Sequence, residues 1–182
     1  MKSCDTTPLL AYDDALAQLT DSVTVRVETV EMPLLQARGA ILAETVVADI
    51  DVPGCAMSAM DGYAVNTADL GADDVTRLPL SQRIAAGDAE ATLTPGTAAR
   101  IFTGAPVPTG ADAVIMQEQV EVENGFVSFE QRPKSGQNVR PAGNDIKNGS
   151  EILQRGCRLR PQDIGLAASV GRQNLSVFKR PS

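Results

Sequence analysis

The sequence predicts a mixed α+β fold that is mostly β. Apolar residues recur at helical spacing towards the two ends of the chain, in residues 9–23 and 161–170. Between residues 49 and 141, glycine, proline and asparagine instead separate short runs that are rich in Val, Ile and Phe. The dipeptide Asn124-Gly125 lies between two such runs, and this pair is the preferred loop of a tight β-hairpin. These three observations predict a β-rich middle with a helix near each end.

The N-terminal segment predicts an amphipathic helix from Leu9 to Val23. Leu16, Leu19 and Val23 recur at positions i, i+3 and i+7, which places them on one face of a helix. Acidic residues lie near the start, where the helix dipole favours negative charge. We therefore treat residues 1–23 as an N-terminal helical segment.

A mixed block follows this helix. Thr24 to Val30 alternates valine with polar residues, as a half-buried strand does. Pro33 to Arg38 predicts a short helix that Gly39 ends, because glycine tolerates the left-handed conformation found after a helix C-terminus. Ala40 to Val47 predicts a further strand.

The middle of the chain contains a hairpin whose register follows from its turn. A two-residue type I′ loop at Asn124-Gly125 pairs Val122 with Val127. Because side chains alternate between the two faces of a strand, this register produces one apolar and one polar face. The predicted apolar face carries Val120, Val122, Val127 and Phe129, and the polar face carries Glu121, Glu123 and Ser128.

The C-terminal part predicts a short helix followed by a strand. Pro161 suits the first helical position, where an N–H group would have no intrahelical partner. Apolar residues then repeat at helical spacing to residue 170, and Gly171 is suited to end the helix. Leu175 to Phe178 predicts the strand.

Charge and composition exclude several classes of function. The chain of 182 residues has a net charge of −7, and its 16 basic residues are scattered, which argues against binding nucleic acid or an anionic membrane. It contains no histidine, so a Ser-His-Asp mechanism and a histidine-ligated metal site are excluded. Carboxylates and hydroxyl groups must therefore carry any chemistry of this chain.

The cysteines and the hydropathy indicate a compartment. Cys4, Cys55 and Cys157 are far apart and form no Cys-x-x-Cys pair, so they predict neither a disulfide framework nor a thiolate zinc site. No apolar run approaches the roughly 18 residues of a membrane span, and the N-terminus has no apolar signal core. We expect a soluble, cytoplasmic protein.

Two motifs contain candidate catalytic side chains. Asp61 lies in Ser58-Ala59-Met60-Asp61-Gly62-Tyr63-Ala64-Val65, and locally it is either a turn former or a functional carboxylate. Thr103 lies in the segment from Arg100 to Val114, whose glycines and prolines shape a loop that includes Gly104. Its hydroxyl either caps the loop or donates to a phosphate or oxyanion.

A third motif, Ser135 to Ile146, contains two further candidates. Asp145 is either an Asx-turn residue or a hard oxygen ligand. Arg140 either faces an anion or is simply solvated. The residues alone leave all these alternatives open.

The three motifs resemble the molybdopterin molybdenumtransferase family, which includes bacterial MoeA and, as an animal relative, the C-terminal domain of gephyrin. The resemblance runs from about Leu10 to Pro181 and is almost letter for letter in the first two motifs. Family members usually have a carboxylate where this chain has Asn144. Since the chain covers less than half of the usual family length, we expect an N-terminal fragment or an unusually short relative.

The resemblance implies a domain organisation. Residues 24–48 and 142–182 are expected to form an elongated mixed domain that mediates dimerisation, and residues 49–141 an inserted β domain. Residues 1–23 are the N-terminal helix, which in relatives packs on a following α/β domain. That α/β domain and a final β-barrel have no counterpart in these 182 residues.

The resemblance also implies a reaction, in which adenylated molybdopterin and molybdate give molybdenum cofactor and AMP in the presence of Mg²⁺. It assigns catalysis to Asp61 and Thr103, with Asp61 as a magnesium ligand, and substrate binding to Asp145, Arg140 and Gly104. These residues are expected to form one wall of a site between two subunits.

Expected partners are a second copy of the chain, the molybdopterin-adenylating protein and molybdoenzymes. Two other hypotheses stay open. One is a non-catalytic dimeric scaffold or partner-binding module of the gephyrin type. The other, set apart from the family, is a β-rich ligand-binding or carrier domain.

Overall fold

The computed structural model describes residues 10–23, 27–71 and 75–180. Within them the chain forms two α-helices, thirteen mostly short strands and three single turns of 3₁₀ helix. The predicted fold class, mixed and mostly β, is therefore confirmed. The helices are α1 (Tyr12–Ser22) and α2 (Pro161–Ser169), and the 3₁₀ turns are Leu34–Gln36, Thr67–Asp69 and Gln117–Gln119. The strands are β1 (Thr29–Pro33), β2 (Ile41–Leu42), β3 (Val46–Val47), β4 (Met57–Ser58), β5 (Gly62–Val65), β6 (Thr76–Ile84), β7 (Ala98–Ile101), β8 (Ala113–Met116), β9 (Glu121–Glu123), β10 (Phe126–Phe129), β11 (Val139–Arg140), β12 (Glu151–Leu153) and β13 (Asn174–Phe178).

The largest sheet has six strands in the order β8-β5-β7-β6-β10-β9. Neighbouring strands are antiparallel except β6 and β7, which are parallel. All four residues of β5 are buried. Because its side chains alternate between the faces, Tyr63 and Val65 join one hydrophobic cluster while Ala64 joins another on the opposite side. Strand β5, which begins immediately after Asp61, is thus held by packing on both faces.

The predicted hairpin is present at one edge of this sheet. Strands β9 and β10 pair in the predicted register, with Val122 opposite Val127, and both turn residues have positive φ, 51° at Asn124 and 78° at Gly125. The predicted apolar face is only partly correct. Val127 and Phe129 are buried, whereas Val122 is 51% exposed. Since β9 is the edge strand, its side chains lie beyond the core that covers β10.

A second, three-stranded sheet has the order β1-β13-β2 and packs with α2 around its own core. The predicted helix from residue 161 and the strand ending at Phe178 are both confirmed. Residues 34–46 and 153–177 supply the buried members of this core, while residues 63–129 supply those of the other clusters. This separation accommodates an inserted β domain, but the boundaries at 48/49 and 141/142 stay a prediction.

Three predicted elements differ in their bounds. The strand predicted at 24–30 begins at Thr29 and continues to Pro33, and residues 24–26 lie outside the described structure. The predicted helix at 33–38 is a single 3₁₀ turn, followed as expected by Gly39 with φ of 81°. The strand predicted at 40–47 is two strands, because the chain bends between them and β2 pairs with β13 while β3 pairs with β12.

The N-terminal helix α1 lies within the predicted segment, although Leu9 is outside the described residues. None of the residues of α1 is buried. Its apolar side chains, Tyr12, Leu16 and Leu19, are exposed, as is Val23 just beyond its end. The apolar face that the sequence predicts therefore exists, and no described part of the chain covers it.

Candidate functional site

Asp61 and Thr103, which lie 42 residues apart in the sequence, form a direct pair. The backbone N–H of Thr103 donates to Oδ1 of Asp61 over 2.8 Å, and the Thr103 hydroxyl donates to the same oxygen over 2.7 Å. Asp61 lies in the bend before β5, and Thr103 follows β7, which is the neighbour of β5 in the sheet. The two motifs of the sequence thus meet inside the large sheet, where the start of β5 adjoins the end of β7.

Backbone hydrogen bonds join the two loops that carry this pair. The N–H of Gly104 donates to the carbonyl of Ser58 over 2.9 Å, and the N–H of Ser58 donates to the carbonyl of Ala105 over 2.9 Å. The buried hydroxyl of Ser58 donates to the carbonyl of Met60 over 2.6 Å. Gly104, predicted to bind substrate, therefore has its amide engaged within the chain, and its contribution is to the shape of the loop.

The Asp-Gly pair at 61–62 does not make the hairpin turn that local chemistry suggests. Strand β4 pairs with β11, while β5 pairs with β7 and β8, so the strands on either side of Asp61 have different partners. Gly62 is required for another reason. A Cβ atom at Gly62 would lie 1.9 Å from the carbonyl oxygen of Ile115 in β8. The close approach of β5 and β8 therefore selects glycine immediately after the candidate aspartate.

The electrostatics of the pair keep Asp61 ionised. The backbone N–H of Thr103, its hydroxyl and the nearby cation Arg100 together lower the pKa of Asp61 below its usual value. Both Thr103 donors end on Oδ1, and no donor in the described part of the chain reaches Oδ2. Asp61 is partly exposed and Thr103 is exposed. The geometry thus presents a fixed carboxylate with one oxygen available to a ligand. The Thr103 hydroxyl donates its proton to Asp61 and not to an oxyanion.

Arg140 and Asp145, which the sequence suggested as separate binding residues, form an ion pair with each other. Nη2 of Arg140 lies 2.9 Å from Oδ1 and 2.7 Å from Oδ2 of Asp145. The side-chain amide of Asn144 also donates to Oδ1, over 2.9 Å. The Asn144 amide and the Arg140 guanidinium lower the pKa of Asp145. Because the side chains of Arg140 and Asp145 are 46% and 50% exposed, the pair stays accessible, but each charge already has a partner.

Arg140 of the second pair lies on a strand that adjoins the loop of Asp61, and Asp145 lies in the turn that follows. Strand β11, which contains Arg140, pairs with β4, and the N–H of Ala59 donates to the carbonyl of Asn138 over 2.9 Å. Within the described residues, no hydrogen bond or ion pair joins Asp145 to Asp61. The structure therefore places the three motifs on neighbouring segments. It joins Asp61 to Thr103 and Arg140 to Asp145 as two separate pairs.

Arg100 is a residue of this site that sequence reasoning did not single out. Its Nη1 donates to the carbonyl of Gly62 over 3.0 Å, and its guanidinium lies over the rings of Tyr63 and Phe102. The sequence held one local signal, since Arg100 precedes Phe102 by two residues, which would place both on one face of an extended segment. Only the pairing of β5 with β7 shows that Tyr63 lies opposite Arg100.

A second aspartate, Asp112, makes a similar arrangement away from the predicted residues. The N–H of Thr67 donates to Oδ1 of Asp112 over 2.7 Å, and the Thr67 hydroxyl donates to Oδ2 over 2.6 Å. Burial raises the pKa of Asp112, but the hydrogen bonds outweigh this effect and the pKa lies below its usual value. Both carboxylate oxygens are occupied, so Asp112 is suited to joining two loops rather than to binding.

Two general features of the described residues complete this account. No group of three or more Cys, Asp or Glu side chains among them is arranged to hold a metal ion by itself. No helix in the described ranges is both long and apolar enough to cross a membrane. Any metal at Asp61 would therefore need ligands from water, from substrate or from outside these residues.

Solved structures of two MoeA proteins have the same fold. The crystal structure of the molybdopterin biosynthesis MoeA protein from Pyrococcus horikoshii OT3 matches with a TM-score of 0.84 and 34% identity, over 96% of this chain and 47% of that chain. A second structure of a Pyrococcus MoeA protein gives 0.85 and 32%, over 96% and 45%. The fold of this chain is thus shared with part of solved chains that are about twice its length.

Curated relatives agree with the structures. Molybdopterin molybdenumtransferase of Haemophilus influenzae is 35% identical over 173 residues, which are 94% of this chain and 43% of the relative. Molybdopterin molybdenumtransferase 2 of Mycobacterium tuberculosis is 39% identical over 155 residues, 83% of this chain and 38% of the relative. The chain therefore spans less than half the length of these relatives. The model of the MoeA N-terminal region (domain I and II) matches residues 10–171, so the resemblance of the motifs is confirmed and the chain belongs to the MoeA family.

Proposed function

We propose that this chain is the N-terminal part of a molybdenum-inserting enzyme, which converts adenylated molybdopterin and molybdate into molybdenum cofactor and AMP. The observation that carries the proposal is the Asp61–Thr103 pair, in which two motifs distant in sequence fix one carboxylate. The names of the relatives, molybdopterin molybdenumtransferase, support the same class of reaction.

The reaction breaks a phosphoanhydride and builds negative charge on the transferring oxygens, so it needs positive charge at that point. A magnesium ion would supply this charge. Mg²⁺ is usually held by one or two carboxylates together with water and substrate phosphates, and a single available oxygen on Asp61 fits that mode. The pair formed by Arg140 and Asp145 fits it less well, because both oxygens of Asp145 are already bonded to Arg140.

In this proposal each side chain has a defined role. Asp61 holds or orients the reacting end through Oδ2, while Thr103 fixes Oδ1 and so removes the freedom of the carboxylate to rotate. Arg140, beside Asp145, binds an anionic part of the substrate by exchanging its partner, and Gly104 keeps the loop closed against Ser58.

The described residues form only one wall of such a site. We propose that the other wall comes from an α/β domain of the second subunit in a homodimer, and that the molybdopterin-adenylating protein supplies the substrate to it. Molybdoenzymes would then receive the product. The chain alone should therefore be a folded dimer without turnover, which sedimentation together with a molybdate-insertion assay would check. A monomer at high protein concentration, or turnover by the 182-residue chain, would contradict this arrangement.

The proposal is tested by replacing Asp61 with asparagine in the protein expressed from the complete reading frame. Asparagine keeps the shape and can still accept from Thr103, but it removes the charge. We expect the single-turnover rate of molybdate insertion to fall by about 10²-fold. Asp112→Asn is the matched control, since it changes the similar pair at Thr67 without touching the site.

A rate unchanged by Asp61→Asn would show that Asp61 only shapes its loop. A rate reduced equally by both substitutions would indicate a general loss of structure. Only a loss confined to the Asp61 variant supports the proposed role.

A non-catalytic scaffold is the second candidate function. The observation that bears on it is the exposed apolar face of α1, because such a face suits a surface that binds another protein as well as it suits the α/β domain implied by the family resemblance. A protein that binds partners through α1 and shows no molybdate insertion from its complete reading frame would favour the scaffold over the enzyme.

A further inference from the structure

We propose that Arg100 is a positioning residue for the Asp61–Thr103 pair, because its guanidinium group holds the backbone beside Asp61 by hydrogen bonds and contacts the ring of the residue that precedes Thr103. This inference goes beyond the proposed function, which assigns no role to Arg100. It rests on that function for its effect on the reaction, but the positioning itself is measurable in the chain without any activity.

The first part of the argument is the pair of hydrogen bonds from Arg100. Nη1 donates to the carbonyl of Gly62, the residue that follows Asp61, over 3.0 Å. Nη2 donates to Oε1 of Gln117 over 2.5 Å, and the backbone N–H of Gln117 donates to the carbonyl of Asp61 over 3.0 Å. One guanidinium therefore restrains two successive carbonyl groups, at Asp61 and Gly62, the first through Gln117 and the second directly.

The second part is the contact of Arg100 with the other half of the site. Its guanidinium lies 4.5 Å from the centre of the Phe102 ring, and Phe102 immediately precedes Thr103. It also lies 5.1 Å from the centre of the Tyr63 ring on β5. Cation–π contact fixes a planar guanidinium over an aromatic face, and Arg is suited to combine this with directed hydrogen bonds. The side chain thus joins the segment of Asp61 to the segment of Thr103.

A purely structural arginine elsewhere in the chain provides a comparison. Arg132 donates to the carbonyl of Gly71 over 3.1 Å and to the carbonyl of Thr67 over 3.0 Å, next to the Thr67–Asp112 pair. Arg132 therefore holds the loop of one Asp–Thr pair much as Arg100 holds that of the other. Because Asp112 lies outside the proposed site, Arg132 is the matched control for any effect of losing an arginine.

The test uses Arg100→Met, which keeps an unbranched apolar stem but removes the guanidinium group with its charge and its donors. In the 182-residue chain, hydrogen exchange of the Thr103 amide reports the bond from that amide to Asp61. We expect exchange at Thr103 to become about tenfold faster. Loss of a hydrogen bond to a charged group changes an opening equilibrium by about a factor of ten or more. The carboxyl of Asp61, followed by NMR, should titrate at a higher pH than in the unmodified chain, because a cation is lost.

The control variant, Arg132→Met, should affect the other Asp–Thr pair instead. We expect it to leave the exchange of the Thr103 amide and the titration of Asp61 unchanged, and to speed the exchange of the Thr67 amide. Arg100→Lys separates charge from geometry, because lysine keeps the cation but has no planar fork to reach Gly62 and Gln117 together. We expect it to restore the Asp61 titration more fully than the Thr103 exchange.

If Arg100→Met does not fold, Gln117→Ala removes only the indirect restraint on Asp61 at an exposed residue, and a smaller change in the same direction is expected. Unchanged exchange at Thr103 and an unchanged Asp61 titration in the folded variants would overturn the proposal. So would equal changes in the Arg100 and Arg132 variants, since these would report a general loosening of the chain.

Activity in the protein from the complete reading frame separates this inference from the proposed function. If both are correct, Arg100→Met lowers the single-turnover rate with little change in the KM for molybdate. The double variant Arg100→Met/Asp61→Asn then loses less activity than the two single losses combined. Faster exchange at Thr103 without any effect of Asp61→Asn on the rate would support the positioning and reject the proposed role of Asp61 in the reaction.

Discussion

Substitution of Gly62 by alanine tests the close approach of strands that determines where Asp61 lies. A Cβ atom at this position would lie 1.9 Å from the carbonyl oxygen and 2.8 Å from the carbonyl carbon of Ile115. Real Cβ atoms keep at least 3.0 Å from such atoms, so the strands must separate by about 1 Å. The obstacle is the backbone of β8, which is hydrogen-bonded to β5 and cannot turn away as a side chain would.

The cost follows from what that separation disturbs. Overpacking in a core costs about 1–3 kcal/mol, and weakening one or two ladder hydrogen bonds between β5 and β8 adds about 1 kcal/mol each. We therefore expect Gly62→Ala to lower the free energy of unfolding by about 3 kcal/mol or more. For a domain of this length, that loss corresponds to a fall in Tm of about 6–12 °C.

Urea and thermal unfolding of the 182-residue chain would measure this loss. Gly165→Ala is the control, because Gly165 lies in the exposed part of α2 with no atom within 4 Å of an added Cβ. That substitution should stabilise the chain by about 0.5–1 kcal/mol, as alanine is favoured over glycine in a helix. A Gly62→Ala variant within 1 kcal/mol of the unmodified chain would refute the account of β5 and β8, and with it the reason given for glycine after Asp61.

Two further predictions concern other elements. Gly125→Val should lower the free energy of unfolding by more than about 1 kcal/mol, because the φ of 78° is strained for a β-branched residue although an added Cβ has open space. Gly125→Asn should cost less, and equal losses would contradict this reason. The pKa of Asp163, lowered first by the Arg160 side chain and then by the Arg160 backbone N–H, should make α2 stabilise the chain above about pH 4. That contribution is lost as the pH falls below about 4 and through the lowered pKa. Asp163→Asn should therefore lower Tm at pH 7, and its difference from the unmodified chain should shrink as the pH falls below about 4, whereas a constant difference in Tm would contradict this account.

The elements predicted correctly are those whose cause is local. The turn at Asn124-Gly125 fixes the register of β9 and β10 through the φ angles of two residues, and no distant contact is needed. The helix α2 likewise begins at Pro161 and ends before Gly171 for reasons of capping. Val122 was misjudged because alternation gives the face of a side chain but not whether another layer covers that face.

The parts that were not predicted depend on which distant strands are neighbours. An Asp-Gly pair at 61–62 suggests a hairpin from its own chemistry, and only the pairing of β5 with β7 and β8 shows that glycine is required by contact with Ile115. The same pairing sets Tyr63 opposite Arg100, which local patterns cannot reveal. The family resemblance supplied Asp61 and Thr103 as candidates, but it did not supply the hydrogen bonds between them or the role of Arg100.

A comparison of the two Asp–Thr pairs shows what distinguishes a candidate site from a structural joint. In both, one threonine donates its N–H and its hydroxyl to one aspartate, and in both the pKa of the aspartate is lowered. The hydrogen bonds and the ionised state alone therefore do not distinguish the two pairs. Asp112 divides the two donors between its oxygens, whereas Asp61 receives both on Oδ1. A carboxylate that is fixed by one oxygen and open at the other can still bind a ligand, and this asymmetry is the physical reason to assign function to Asp61 and not to Asp112.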